Sequence, residues 1–245
     1  MRVSLARRTS AEFAGTALLV TAVVGSGIAA ARLSPGDVGL QLLQNAFATA
    51  LALGALILIF GPVSGAHFNP VISAADWWLG RRTGAGLSPA QLAAYVAAQV
   101  TGAVAGAVLG NLMFDLPAVT WSGTARMGGH LWLGEVVATA GLVLLVVALV
   151  RSGRVNVAPA AVGAYIGAAY WFTSSTSFAN PAVTVGRIFS DTFAGIAPAS
   201  APGFVAGQLV GALVALAALA WWYPVPGRRL DDLVLRRPAH EEARL

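Results

Sequence analysis

No cysteine and no lysine occur among the 245 residues. Without thiols the chain has no disulfide framework, no thiolate nucleophile and no soft metal site, and three dispersed histidines do not replace one. No metal or cofactor is therefore expected. Charge is scarce as well: 10% of residues are charged and 57% are hydrophobic. A soluble globular protein carries about a quarter charged residues, so most of this surface has lipid as its solvent. The net charge of +5 rests on fifteen arginines placed singly or in pairs between apolar runs. Positive-inside topology accounts for that pattern more simply than a nucleic-acid partner does. A convergent nucleophile, base or metal set is also missing, so the sequence does not read as an enzyme.

What the chain has in abundance is long apolar runs. A helix needs about 20 apolar residues to cross a bilayer, and such stretches lie near 11–31, 40–60, 89–110, 131–150, 158–175 and 203–223. The first reads as a span rather than a signal peptide, because no small-residue cleavage site follows it. The expected organisation is one membrane domain over 10–225, between an N-terminal segment 1–9 and a tail 226–245. An even number of spans puts both termini on one side. Arg2, Arg7, Arg8, Arg81, Arg82, Arg151, Arg154, Arg228, Arg229, Arg236 and Arg237 all fall on that side, which makes it the expected cytoplasmic face of a multi-pass protein in the cell membrane.

Two segments do not fit six simple spans: GPVSGAHFNPVISAADWW after the second, and SSTSFANPAVTVGRIF after the fifth. Each is too short to cross and too apolar for an ordinary loop. Internal repetition explains them. AEFAGT at Glu12 matches GEVVAT at Glu135, FNPV at Asn69 matches ANPA at Asn180, and AAQVTGAVAG at Gln99 matches AGQLVGALVA at Gln208. Repeat 1 spans about 10–112 and repeat 2 about 130–225. Three spans is an odd number, so the second repeat is inverted relative to the first, an arrangement that places a pathway at the repeat interface near the midplane. Glycines at i, i+4, i+8 in both third spans (Gly102, Gly106, Gly110; Gly203, Gly207, Gly211) predict close helix packing.

Asparagine is a preferred N-cap and proline a preferred first helical residue. Asn69-Pro70 and Asn180-Pro181 therefore each announce a half-helix that begins inside the membrane. Irregular backbone at that depth is tolerated only where it is buried in protein or lines water, so the two segments imply a cavity between the repeats. Each asparagine oxygen is expected to cap its own half-helix and leave amide N–H groups for a passing molecule, while both positive helix ends point inward. Such a site suits small uncharged solutes and opposes cations and protons.

These residues resemble the major intrinsic protein family: SGAHFNPV at 64–71, FANPA at 178–182, AEFxGT at 11–16 and GExxxT at 134–139. The resemblance covers about residues 10–225. It implies an all-α fold of six membrane helices around two re-entrant half-helices, one pore per subunit, usually a homotetramer, and no cofactor or chemistry. The pore signatures are then Asn69, Pro70 and Val71, and Asn180, Pro181 and Ala182; Val71 stands where the family usually has alanine. One residue after the second signature the family's outer constriction typically carries arginine, and this chain has Val183. By family spacing the rest of that ring is Thr49, Ala168 and Ser177. All four are small, so a wide, arginine-free filter is expected.

Three further groups follow from the resemblance. Glu12 and Glu135, the only carboxylates in the predicted spans, are expected to support the backbone of the re-entrant loops rather than to relay protons. His67 lines the pore or props its loop, with a pH gate as the second reading. Arg187, one turn beyond Val183, either restores charge at the outer vestibule or pairs with Asp191 or the interface. Thr16 and Thr139 are expected to bond the preceding helical turn, and the Trp77-Trp78 and Trp221-Trp222 pairs to anchor at the interface. The reading is a passive channel, in a lipid bilayer, for water with glycerol-like solutes or metalloid hydroxides such as arsenous acid. The alternatives are a water-selective aquaporin and, with no coupling site in view, a secondary transporter.

Overall fold

The computed structural model describes residues 3–81 and 84–223; Arg2, Arg82, Arg228, Arg229, Arg236, Arg237 and the tail 226–245 lie outside it. The described residues form helices and loops without strands. The first repeat holds α1 (Leu5–Leu33), α2 (Val38–Ser64), the short α3 (Pro70–Gly80) and α4 (Pro89–Met113). The second holds α5 (Gly129–Arg151), α6 (Ala158–Phe172), the short α7 (Pro181–Gly186) and α8 (Ala201–Trp222).

Among the described residues five helices are long and apolar enough to cross a membrane by length and composition, namely α1, α2, α4, α5 and α8 with the 3-10 turn before it. The sixth predicted span, 158–175, is the shorter α6 of 15 residues, roughly 22 Å at 1.5 Å per residue. A 3-10 turn at Val155–Val157 precedes it. It stops at Phe172 because Thr173 turns extended and the chain enters the second re-entrant loop.

Helix ends follow from local chemistry. Ser88 and Gln91 form a reciprocal capping box ahead of Pro89, and Asp37 accepts from Leu40 N at 2.9 Å. Helix α2 ends at Gly65 in the left-handed region, φ 89°, which no Cβ opposes.

The repeat shows in the packing. Helix α1 lies along α4 and α5 along α8, each pair brought together by one glycine stripe. A Cβ at Gly106 would strike the carbonyl of Ala17, and one at Gly207 would come 2.8 Å from the Trp132 oxygen. The close approach also lets Thr21 Oγ1 donate to Gly106 O at 3.0 Å. Outward faces are apolar: Phe47, Leu51, Leu58, Leu213 and Trp221 are all exposed, as a lipid-facing surface requires. The chain topology puts both long loops, 114–128 and 187–200, at the end of the bundle opposite residue 5. There they are zipped together, Ser122 N donating to Ile188 O and Ala197 N to Thr124 O.

Candidate functional site

Each re-entrant loop is built in the same way. Asn69 Oδ1 accepts from Val71 N at 3.1 Å, and Asn180 Oδ1 accepts from Ala182 N and Val183 N at 2.9 and 3.2 Å. Both asparagines thus cap α3 and α7. One amide proton of each crosses to the other repeat: Asn69 Nδ2 donates to Ala179 O and Asn180 Nδ2 to Phe68 O, both at 2.8 Å. An asparagine amide has two donors, so a second N–H of each remains for the cavity that both residues line.

The residues before each asparagine are forced into left-handed backbone. Ala66 and Phe68 have φ 51° and 50°, and Ser177 and Ala179 have φ 51° and 48°, the third and first positions before each Asn. None is glycine, and such geometry costs on the order of 1 kcal/mol or more per residue. The buried glutamates compensate. Glu12 accepts from His67 N, Phe68 N, Ser64 Oγ and Gln99 Nε2 at 2.6 to 3.0 Å. Glu135 accepts from Phe178 N, Ala179 N and Gln208 Nε2 at 2.6 to 2.9 Å. Gln99 Nε2 also reaches Ser73 Oγ, and Gln208 Nε2 reaches Thr184 Oγ1, each at 2.9 Å. The two networks are equivalent residue by residue. Thr16 and Thr139 depart from expectation: their buried hydroxyls have no hydrogen-bond partner.

A cavity of about 980 Å³ runs between the repeats. At the end nearest residue 5 it is lined by Arg8, Asp76 and Asn156, in the middle by His67, Asn69 and Asn180, and beyond them by Thr49, Ser177, Val183 and Arg187. His67 Nδ1 lies 3.0 Å from Ser73 Oγ, and its ring meets Tyr95 edge-on at 5.4 Å, so it both props its loop and faces the cavity. Val71 is buried behind α3 and does not reach the lining. Asp76 is a carboxylate that the apolar-span reading passed over. It sits on α3, is buried, and accepts from Leu87 N at 2.8 Å, closing the loop after α3.

Three of the four expected ring residues line the cavity together: Thr49, Ser177 and Val183. Ala168 does not. It is exposed on α6, and that helix presents Ile166 and Tyr170 instead. A residue count carried across the irregular 173–180 loop lands on the wrong face, since at 3.6 residues per turn position 168 points away from 166 and 170. The lining is accordingly not all small: Tyr170 is aromatic, and its hydroxyl donates to Thr49 Oγ1 at 3.3 Å. Ser177 Oγ is buried without a partner.

Arg187 is 2% exposed and lines the cavity, so the valine at 183 does not leave that wall without a cation. The pairing with Asp191 does not occur. Arg187 Nε donates to Ala194 O, and Asp191 Oδ1 accepts from Gly123 N at 2.9 Å. The guanidinium carbon lies 3.4 Å from the centroid of Phe178. Arg126, from the inter-repeat loop, approaches the same ring at 5.3 Å and donates to the carbonyls of Gly195 and Phe193 at 2.9 and 3.3 Å. Burial pushes the Arg126 guanidinium below its usual pKa, with Tyr170 and Glu135 pulling the other way.

The family model described as Major intrinsic protein matches residues 1–177. Aquaglyceroporin AqpS of Rhizobium meliloti is 52% identical over 217 residues, which cover 89% of this chain and 90% of the relative. Probable aquaporin AqpM of Archaeoglobus fulgidus is 30% identical, with 91% and 98% covered. Among solved structures, the aquaglyceroporin from Plasmodium falciparum superposes with a TM-score of 0.67 at 19% identity, over 91% of this chain and 98% of that one, a likeness of fold. With two asparagine-capped half-helices locked together inside an inverted repeat, and with these relatives, the chain belongs to the major intrinsic protein family of membrane channels.

Proposed function

We propose that residues 10–225 form a passive pore for water together with small uncharged solutes of glycerol, urea or metalloid-hydroxide size. The observation that carries this is the lining around Thr49, Ser177 and Val183. It combines small side chains, where the resembled water-selective pores have bulkier groups, with the remaining amide N–H groups of Asn69 and Asn180 on the same cavity. A solute hydroxyl can accept from those amides, recovering a hydrogen bond it leaves behind in water. The printed name of the bacterial relative, aquaglyceroporin, supports the same solute class. Arginines grouped at the end carrying residue 5 support a cytoplasmic location of both termini in the cell membrane, and family assembly supports a homotetramer.

One observation favours the narrower, water-selective reading: Tyr170 reaches into the ring and bonds Thr49. Stopped-flow light scattering of proteoliposomes separates the two. Reswelling in glycerol or arsenous acid, suppressed by Val183→Arg, is the expected result. Accelerated shrinkage without reswelling leaves a water channel.

A further inference from the structure

The four N–H groups at the tip of Arg187 have no protein partner among the described residues, although the side chain is 2% exposed and lines the cavity. Its other donor is spent on Ala194 O, and its plane is held against Phe178. Phe178 is itself fixed by Phe204 at 4.9 Å. An arginine tied down by its Nε and by a ring, with its terminal nitrogens free, is aimed at something the cavity contains.

We propose that Arg187 is the specificity-determining cation of this pore, an inference that rests on the channel reading above. Its Nη groups donate to the oxygens of a passing neutral, oxygen-rich solute. Its charge repels cations and protons at a ring where residue 183 is apolar. Placing the charge one helical turn beyond Val183 leaves the width at Val183 to the solute and keeps the barrier. Arg126 stands behind it on the same ring, held by the carbonyls of Phe193 and Gly195, and adds to the same positive potential in a low-dielectric wall.

The test uses the full chain in proteoliposomes with two readouts: the ratio of urea to glycerol reswelling rates, and proton uptake reported by an internal pH dye under a valinomycin-set, inside-negative potential. Arg187→Gln is expected to raise proton uptake by about tenfold or more, the change that ~1.4 kcal/mol of lost repulsion gives, and to shift the urea-to-glycerol ratio. Arg187→Lys is expected to stay proton-tight, because the charge remains, yet to shift the ratio, because the planar fork is gone. Arg126→Gln should raise proton uptake less than Arg187→Gln does. A monodisperse Arg187→Gln with the parent ratio and no proton leak overturns the inference. Should that variant fail to fold, an unchanged ratio in Arg187→Lys overturns it. Absence of urea and glycerol flux in the unsubstituted chain overturns the channel reading itself, and this inference with it.

Discussion

Asn69 and Asn180 hold each other's loops: the amide of each lies 2.8 Å from a carbonyl belonging to the opposite repeat. Each oxygen meanwhile caps its own half-helix. One side chain therefore does two jobs, and the two jobs use different atoms.

That division can be tested with Asn180→Asp. The carboxylate still accepts from Ala182 N and Val183 N, so the cap survives, but it cannot donate to Phe68 O and instead faces that carbonyl with a negative charge. A buried acceptor left unpaired costs about 1–3 kcal/mol, which at about 2–4 °C per kcal/mol for a chain of this size is a clear drop in the melting temperature in detergent. Asn180→Ala, which loses the cap as well, should fall further by about 1 kcal/mol. An Asn180→Asp melting temperature equal to the parent's would show that the cross-repeat bond contributes nothing, and equal values for the two variants would show the same of the cap.

The paired glutamates make a second prediction. Glu135→Leu strands the N–H groups of Phe178 and Ala179, next to residues already in left-handed backbone, and should cost several kcal/mol at about 1–3 kcal/mol per buried unpaired group. Glu12→Leu should be comparably damaging, since it strands the matching N–H groups of His67 and Phe68. The expected readout is loss of monodisperse protein on size-exclusion chromatography. A folded Glu135→Leu that conducts solute but blocks proton movement present in the parent would return these residues to the proton-relay reading.

Close packing gives a third. A leucine at Gly106 must displace the α1 backbone at Ala17, whereas a Cβ at Gly129 meets nothing within 4 Å. Gly106→Leu should lower the melting temperature by well over the amount seen for ordinary overpacking, about 1–3 kcal/mol, because the obstruction is main chain. Gly129→Ala should be near neutral. The comparison reads helix approach directly, since both are helical glycines.

Much of this was legible in the sequence because the repeat supplies every signal twice. Asn-Pro, the buried glutamate and the glycine stripe each have local or periodic signatures, and each recurs. Arg187 could be placed one turn from Val183 by helical spacing, but its partner could not be read. The Ala194 carbonyl comes from a loop whose path is set by its pairing with 118–126, and backbone acceptors leave no trace in residue identity. Asp76 was missed because it sits in a segment read for its apolar character. The shortness of α6 was legible in the polar run TSSTS at 173–177, which ends the helix at Phe172 and into which the predicted span 158–175 extends.

Ala168 and Tyr170 offer the most direct check on the site. They are two residues apart on α6, and only Tyr170 faces the cavity. Tyr170→Ala removes the ring and the hydroxyl bonded to Thr49, and should raise the flux of solutes larger than glycerol, such as five-carbon polyols, several-fold relative to water. Ala168→Val adds two methyl groups to an outward face and should leave that ratio unchanged. Flux measured by light scattering at matched protein density decides between them. If Ala168→Val narrows the solute range while Tyr170→Ala leaves it alone, α6 is rotated by roughly half a turn from the orientation described above, since two residues at 3.6 per turn span about 200°.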